Sequence, residues 1–178
     1  MVEVRMEQVN YRSKTLFHEI NSDDDELYFV IFADSWEDEP VSKVESKIID
    51  VFVKYSNKFS IDDVDKAVLP YRYRDDEDED NTITLRFCLK RKTKDIQIND
   101  LLTAKANGSI YGDIYLINSI KHVIYHLYDD RGLDIISSQK KPLEKLYVNY
   151  NHWILDGLTC SLSSIKRIKY SQLLDIIL

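Results

Sequence analysis

Between Ile114 and Ser137 the chain reads Ile-Tyr-Leu-Ile-Asn-Ser-Ile-Lys-His-Val-Ile-Tyr-His-Leu-Tyr-Asp-Asp-Arg-Gly-Leu-Asp-Ile-Ile-Ser. Runs of Ile, Val and Tyr are interrupted there by Asn118-Ser119 and by Asp129-Asp130-Arg131-Gly132. β-branched and aromatic runs separated by turn residues predict antiparallel strands with tight connections, here three strands. A type I turn on Asp129, Asp130 and Arg131, closed by a bulge at Gly132, is expected to hold that glycine at positive φ. From Ile83 to Leu89 the alternation is strict: Ile83, Leu85, Phe87 and Leu89 point one way, and Thr84, Arg86 and Cys88 the other. Thr15 to Ile20 and Leu27 to Asp34 also have the content of strands. The polar cluster Asn21 to Asp25 between them predicts a first hairpin. Residues 1 to 13 carry no decisive pattern.

Elsewhere the period is helical. Val41, Val44, Ile48, Val51, Phe52 and Tyr55 form one apolar face after Pro40. Asn99 predicts a cap for a short helix over Asp100 to Ala106, stopped by Asn107-Gly108. Ser60 with Asp63 opens either a helix or a strand that ends at Pro70. Lys141 to Leu155 carries the stripe Leu143, Leu146, Tyr147, Tyr150, Trp153 and Ile154, with Pro142 in the first turn. Leu146, Tyr150 and Trp153 are expected to bury against the sheet. Ile165, Ile168, Leu173, Leu174, Ile176 and Ile177 predict one or two final helices. The order of elements implies an α+β fold: one domain over residues 1 to 178, an antiparallel or mixed sheet with helices packed on it.

Composition narrows the classes of function. The 178 residues are 44% hydrophobic and 31% charged, which suits a folded domain with a substantial core. A net charge of −7 disfavours nucleic acid and anionic membrane surfaces and favours a basic partner. Charges occupy the N-terminus where a signal peptide needs an apolar run, and the longest apolar block, Tyr28 to Ala33, is too short to span a bilayer. The expected location is the cytoplasm. There Cys88 and Cys160 are expected to stay reduced.

Tyr128-Asp129-Asp130-Arg131-Gly132-Leu133-Asp134, followed from Leu143 by Leu-Glu-Lys-Leu-Tyr-Val-Asn-Tyr-Asn-His-Trp-Ile-Leu-Asp, resembles the C-terminal signature of the bacterial domain of unknown function 3885 family. The likeness is specific over residues 114 to 156. It implies a fold neighbourhood and a bacterial source, and brings no activity with it.

Candidate chemistry is sparse. His122 and His126 would share a helix face at metal-ligand spacing, but on a strand they stand about 13 Å apart and cannot hold one ion. No metal and no cofactor is expected. Tyr128, Asp129, Asp130, Arg131 and Gly132 make the candidate ligand site, as paired carboxylates beside an arginine. The same residues are explained more simply by turn geometry and an arginine forked onto a carboxylate. No serine sits in a Gly-x-Ser-x-Gly elbow, and no catalytic residue is assigned. Three anionic clusters stand out: Asp23 to Glu26, Glu37 to Glu39, and the run Asp75, Asp76, Glu77, Asp78, Glu79 and Asp80. The last is the candidate partner-binding segment, able to steer a cationic protein. The expected function is therefore a non-catalytic protein-binding module, of the immunity type against a basic toxin domain. The alternative is an enzyme or small-ligand binder at the Asp129 to Gly132 turn, which calls for a pocket of roughly 300 Å³ or more converging there.

Overall fold

The computed structural model describes residues 2–36, 39–73 and 81–153. The elements run α1 (Val2–Ile20), β1 (Glu26–Ser35), α2 (Val41–Tyr55), β2 (Val64–Pro70), β3 (Ile83–Lys92), α3 (Ile98–Ala106), β4 (Asp113–Asn118), β5 (Val123–Leu127), β6 (Leu133–Ser137) and α4 (Lys140–Tyr150). The strands form one sheet in the order β2-β3-β1-β4-β5-β6. Every pairing is antiparallel, so the fold is α+β with an antiparallel sheet.

The alternation along each strand sorts side chains onto two faces. On one face Leu27, Phe29, Ile31, Leu85, Phe87, Leu89, Ile114, Leu116, Val123, Tyr125 and Leu127 meet the helices, which contribute Phe17, Ile20, Val44, Ile48, Phe52, Leu101 and Leu146. On the other face Val30, Phe32, Cys88, Ile117 and Ile124 form a second buried cluster, made among the described residues by strands alone. Cys88 is a free thiol there, and burial pushes it up to about 11. Cys160 lies outside the described residues.

The first hairpin expected over residues 15 to 34 is absent, because Thr15 to Ile20 is the last part of α1. Met6, Val9, Ser13, Leu16, Phe17 and Ile20 recur every three or four residues, and each is at least partly buried. That inward stripe holds a polar Ser13 at its centre and has short polar stretches between its members. A six-residue window over Thr15 to Ile20 is therefore weighted toward a strand by Thr15, Phe17 and Ile20. The chain then turns through Asn21–Asp25, where Asp25 accepts bonds from the Ser22 backbone N–H (2.9 Å) and hydroxyl (2.8 Å).

The remaining elements lie close to their expected places, with differences at their ends. α2 buries Val44, Ile48, Val51, Phe52 and Tyr55, while Val41 stays exposed. α3 begins one residue before the expected cap, at Ile98, and stops where Gly108 takes φ +67. Between Ser60 and Pro70 the strand alternative applies: one 3₁₀ turn, Ile61–Asp63, leads into β2. α4 ends at Tyr150 and a 3₁₀ turn, Asn151–Trp153, follows. Leu146 joins the core, with Tyr150 packed against it. Trp153 instead leans on α1, 5.9 Å from the Tyr11 ring and 5.4 Å from the Arg12 guanidinium, so it bridges two helices and does not meet the sheet. The expected final helices lie outside the described residues. None of the described helices is long and apolar enough to cross a membrane.

Candidate functional site

Antiparallel pairing puts at one end of the sheet the end of β1, the end of β2 with the start of β3, the approach to β4 through residues 107–112, and the turn 128–132 between β5 and β6. The opposite end holds the start of β1 and the end of β3. Carboxylates are ion-paired at both ends, and at the loop end Glu39 is held by Lys47 (2.6 Å) and Lys43 (3.6 Å). At the start of β1, Asp24 pairs with Lys94 (2.7 Å) and Lys92 (3.6 Å), Asp25 with Lys121 (2.5 Å), and Glu26 with Lys90 (3.1 Å). The anionic cluster at Asp23 to Glu26 is thus largely neutralised by the chain's own lysines.

The loop end is built around Arg72. Its Nη2 donates to Asp34 Oδ2 at 3.2 Å and to Asp113 Oδ2 at 3.0 Å, and its backbone N–H donates to Thr84 Oγ1 at 3.2 Å. The Thr84 hydroxyl in turn donates to Asp34 Oδ1 at 2.6 Å. The guanidinium lies 5.1 Å from the Phe32 ring and 5.1 Å from the Tyr73 ring. Burial works against its charge, but the Asp34 and Asp113 carboxylates outweigh it and raise the Arg72 pKa. Register makes this possible, since Asp34 pairs with Thr84 across β1 and β3, and Phe32 with Asp113 across β1 and β4. The approach to β4 is tight. Gly112 sits at φ +84, and a Cβ there would meet the Phe32 carbonyl oxygen at 2.6 Å. The adjacent Lys105 is buried, donates to the Gly112 carbonyl at 2.8 Å, and has its pKa lowered by burial against the pull of Asp113.

Rings run outward from this clamp in both directions. On one side Trp36 meets Tyr71 (5.6 Å) and Tyr71 meets Tyr73 (5.8 Å). On the other, Phe32 meets Tyr115 (5.6 Å), Tyr115 stacks on His126 (4.0 Å, 21°), and His126 meets Tyr128 edge-on (4.6 Å). Trp36 at 52%, Tyr73 at 65% and Tyr128 at 38% are the exposed members. Burial pushes the Tyr115 hydroxyl up to about 12, with Asp113 adding to it.

Burial likewise pushes the His126 imidazole down to about 4 from 6.5, against the opposing pull of Asp113, and its Nε2 is buried without a hydrogen-bond partner. Because the folded pKa lies below the unfolded one, the unfolded chain binds the extra proton in that interval. The stabilisation is complete above about pH 6.5 and is lost as pH falls toward about 4. Urea unfolding is expected to show a loss of about 2 kcal/mol between pH ~6.5 and ~5, and a clearly smaller one in His126→Phe. Equal losses in the two proteins would remove His126 from the pH dependence.

The turn Tyr128 to Gly132 closes through the Tyr128 N–H, which donates to the Gly132 carbonyl at 3.0 Å. Arg131 forks onto Asp129 through Nε (2.8 Å) and Nη2 (2.5 Å), and its backbone N–H also donates to Asp129 (2.7 Å). Asp129 is held below the usual carboxylate range by those bonds. Asp130 pairs with Arg5 of α1 at 3.0 Å. Burial raises the Tyr128 hydroxyl, and Asp134, which accepts its proton in a hydrogen bond, raises it further. Both carboxylates of the turn therefore already hold an arginine.

Gly132 does not take the expected positive φ, which among the described glycines belongs to Gly108 and Gly112. The hairpin forms regardless, with Leu127 opposite Leu133. What the glycine supplies is space, since a Cβ there would lie 2.8 Å from two carbons of the Tyr128 ring. Gly132→Ala is expected to cost about 1 kcal/mol in the native background and much less in Tyr128→Ala, where the crowding ring is gone. An undiminished cost in the second background would return the constraint to the backbone.

His126 lies on β5 and His122 in the preceding turn at φ +55, and no cluster of three or more metal-ligating residues occurs among the described residues. Asp75, Asp76, Glu77, Asp78, Glu79 and Asp80 lie outside the described residues, with their flanks Tyr73 and Asn81 on the connection between β2 and β3. Among the described residues, depressions occur elsewhere. One of about 260 Å³ is lined by residues including His18, Lys94 and Asn99, and one of about 10 Å³ lies between α3 and the sheet; neither touches the turn. Residue-level reasoning missed Asp34, Arg72, Thr84 and Asp113. The available signal was the alternation Tyr71-Arg72-Tyr73-Arg74, which sets cations between aromatic rings directly before an acidic run.

Among known proteins, "Uncharacterized protein YnaE" of Bacillus subtilis (strain 168) is 23% identical over 157 residues, covering 80% of this chain and 71% of that protein. No solved structure matches. The family model described as Domain of unknown function (DUF3885) matches residues 2–157, a span that takes in α1, the whole sheet and α4, and the chain belongs to that family.

Proposed function

We propose that this protein is a non-catalytic protein-binding module that engages a basic protein through the loop end of its sheet, and that it acts as an immunity-type protein by covering the active site of a basic toxin domain. The reading is carried by the company of exposed Trp36, Tyr73 and Tyr128 around the Arg72 clamp. Tryptophan, tyrosine and arginine supply most of the energy in protein interfaces, because large rigid rings bury area at little conformational cost. A net charge of −7 supports a cationic partner over nucleic acid. The alternative of an enzyme or ligand site at Asp129 to Gly132 draws less support, since its carboxylates are occupied by Arg131 and Arg5.

The test is capture of a basic partner from a bacterial lysate, followed by association kinetics at two salt concentrations. Replacing the carboxylates of Asp75 to Asp80 with Asn and Gln is expected to slow association several-fold at low salt, with a much smaller effect at high salt and nearly unchanged dissociation. Association that ignores both the substitutions and the salt would remove the acidic run from the mechanism. For the immunity reading, co-expression with a toxin encoded beside this gene should restore growth. Unrelieved toxicity would sink it.

A further inference from the structure

We infer that Trp36 and Tyr73, bridged by Tyr71, form a stacking surface for arginine side chains of the basic partner. The inference rests on the protein-binding reading above and specifies what that face recognises.

Three observations carry it. The three rings are in continuous contact, and both outer members are more than half exposed, Trp36 at 52% and Tyr73 at 65%. In sequence, Trp36 runs directly into Glu37-Asp38-Glu39, and Tyr73 runs through Arg74 into Asp75 to Asp80. Contact between the rings therefore brings together the points at which the chain enters two acidic runs that are remote from each other in sequence. Lastly, the inner side of Tyr73 already receives a guanidinium, because Arg72 lies 5.1 Å from both Phe32 and Tyr73 and is bonded to the carboxylates of Asp34 and Asp113. Asp34 and Asp113 face Arg72, and Asp113 also faces Lys105, whose Nζ lies 4.0 Å away, so the clamp carries no excess positive charge to repel an incoming cation.

Ring faces carry negative charge and attract cations, and the chain's net charge of −7 favours the same partners. Arginine is favoured over lysine because its guanidinium is planar, stacks on rings and is more weakly hydrated than an ammonium. Exposed rings also stack nucleobases, but a phosphate backbone would be repelled by the same acidic runs.

The full chain carrying Trp153→Phe leaves Trp36 as the sole tryptophan fluorophore, since the sequence has 2. An arginine homopeptide, a lysine homopeptide of equal length and an oligothymidylate are titrated against it. The arginine peptide is expected to perturb Trp36 emission and to bind several-fold more tightly than the lysine peptide. Calorimetry on Trp36→Ala/Tyr73→Ala, checked for native circular dichroism, is expected to show arginine-peptide affinity reduced about tenfold, with the preference over lysine gone. Neutralising Asp75 to Asp80 should weaken both peptides alike. Equal binding of the two peptides, undiminished in the double variant, would reduce the site to charge alone and overturn the inference. Oligothymidylate binding abolished by the same substitutions would overturn it in favour of a base-stacking surface. If a captured basic protein binds the double variant as tightly as the native chain, this inference fails and the protein-binding reading stands. If no basic protein is captured, that reading fails independently of the peptide result.

Discussion

Tyr125→Ala is expected to destabilise the protein by about 3 to 5 kcal/mol, the range for removing a large core aromatic. Tyr125 is 1% exposed, meets Phe17 edge-on at 5.3 Å, and donates its hydroxyl to the Ser13 carbonyl at 2.7 Å. It therefore fastens α1 to the sheet with both its ring and its hydroxyl. Tyr125→Phe keeps the ring and deprives the buried carbonyl of a donor, at a smaller cost of about 1 to 2 kcal/mol. Urea unfolding of the two variants separates the contributions. If both cost the same, the hydroxyl carries the attachment; if Tyr125→Ala costs under about 1 kcal/mol, α1 is not held by this contact.

Arg72→Met is expected to cost about 2 to 4 kcal/mol. The loss comes less from the ion pair itself than from what remains: Asp34 loses its cation in a partly buried site beside Asp113, which keeps only Lys105, at 4.0 Å. The side chains of Arg72 and Asp34 are each 16% exposed, which leaves little water to replace the guanidinium. Adding Asp113→Asn to Arg72→Met should recover part of the loss by relieving the stranded Asp34 of a neighbouring like charge, whereas Asp113→Asn alone in the native background should destabilise. The opposite signs of the two effects, read from urea midpoints, test the coupling. Additive destabilisation would show that the clamp is not an energetic unit.

Both substitutions fall on contacts that no local pattern could reveal. Periodicity is a property of neighbours in sequence, so it served well where an element's inward face repeats cleanly. β3 shows Ile83, Leu85, Phe87 and Leu89 on the core side as its alternation required, and α2 buries five of its apolar positions at helical spacing. The β5–β6 hairpin was legible from Asp129-Asp130-Arg131-Gly132 because aspartate bonds its own turn locally, as Asp129 does with the Arg131 N–H. α1 was not legible. Its stripe is diluted by Ser13, and its end mimics a strand until Phe17 is placed against Tyr125.

The sequence by itself determined the α+β class, the strands from β3 onward, the helical face of α2, the presence of a short α3, the acidic balance and the likeness to the DUF3885 family. Each rests on residues a few positions apart or on whole-chain sums. Only the tertiary structure decided which charges meet. Strand order sets β1 between β3 and β4, so Asp34, Thr84 and Asp113 converge on Arg72 although they come from three separate stretches of chain. The same order sends the Asp23 to Glu26 cluster to the opposite end, where lysines from the end of β3 and the β4–β5 turn neutralise it. It also decided that Gly132 serves to make room for the Tyr128 ring, since the crowding at a glycine depends on where a neighbouring side chain lies, and the turn pattern alone carries no record of that.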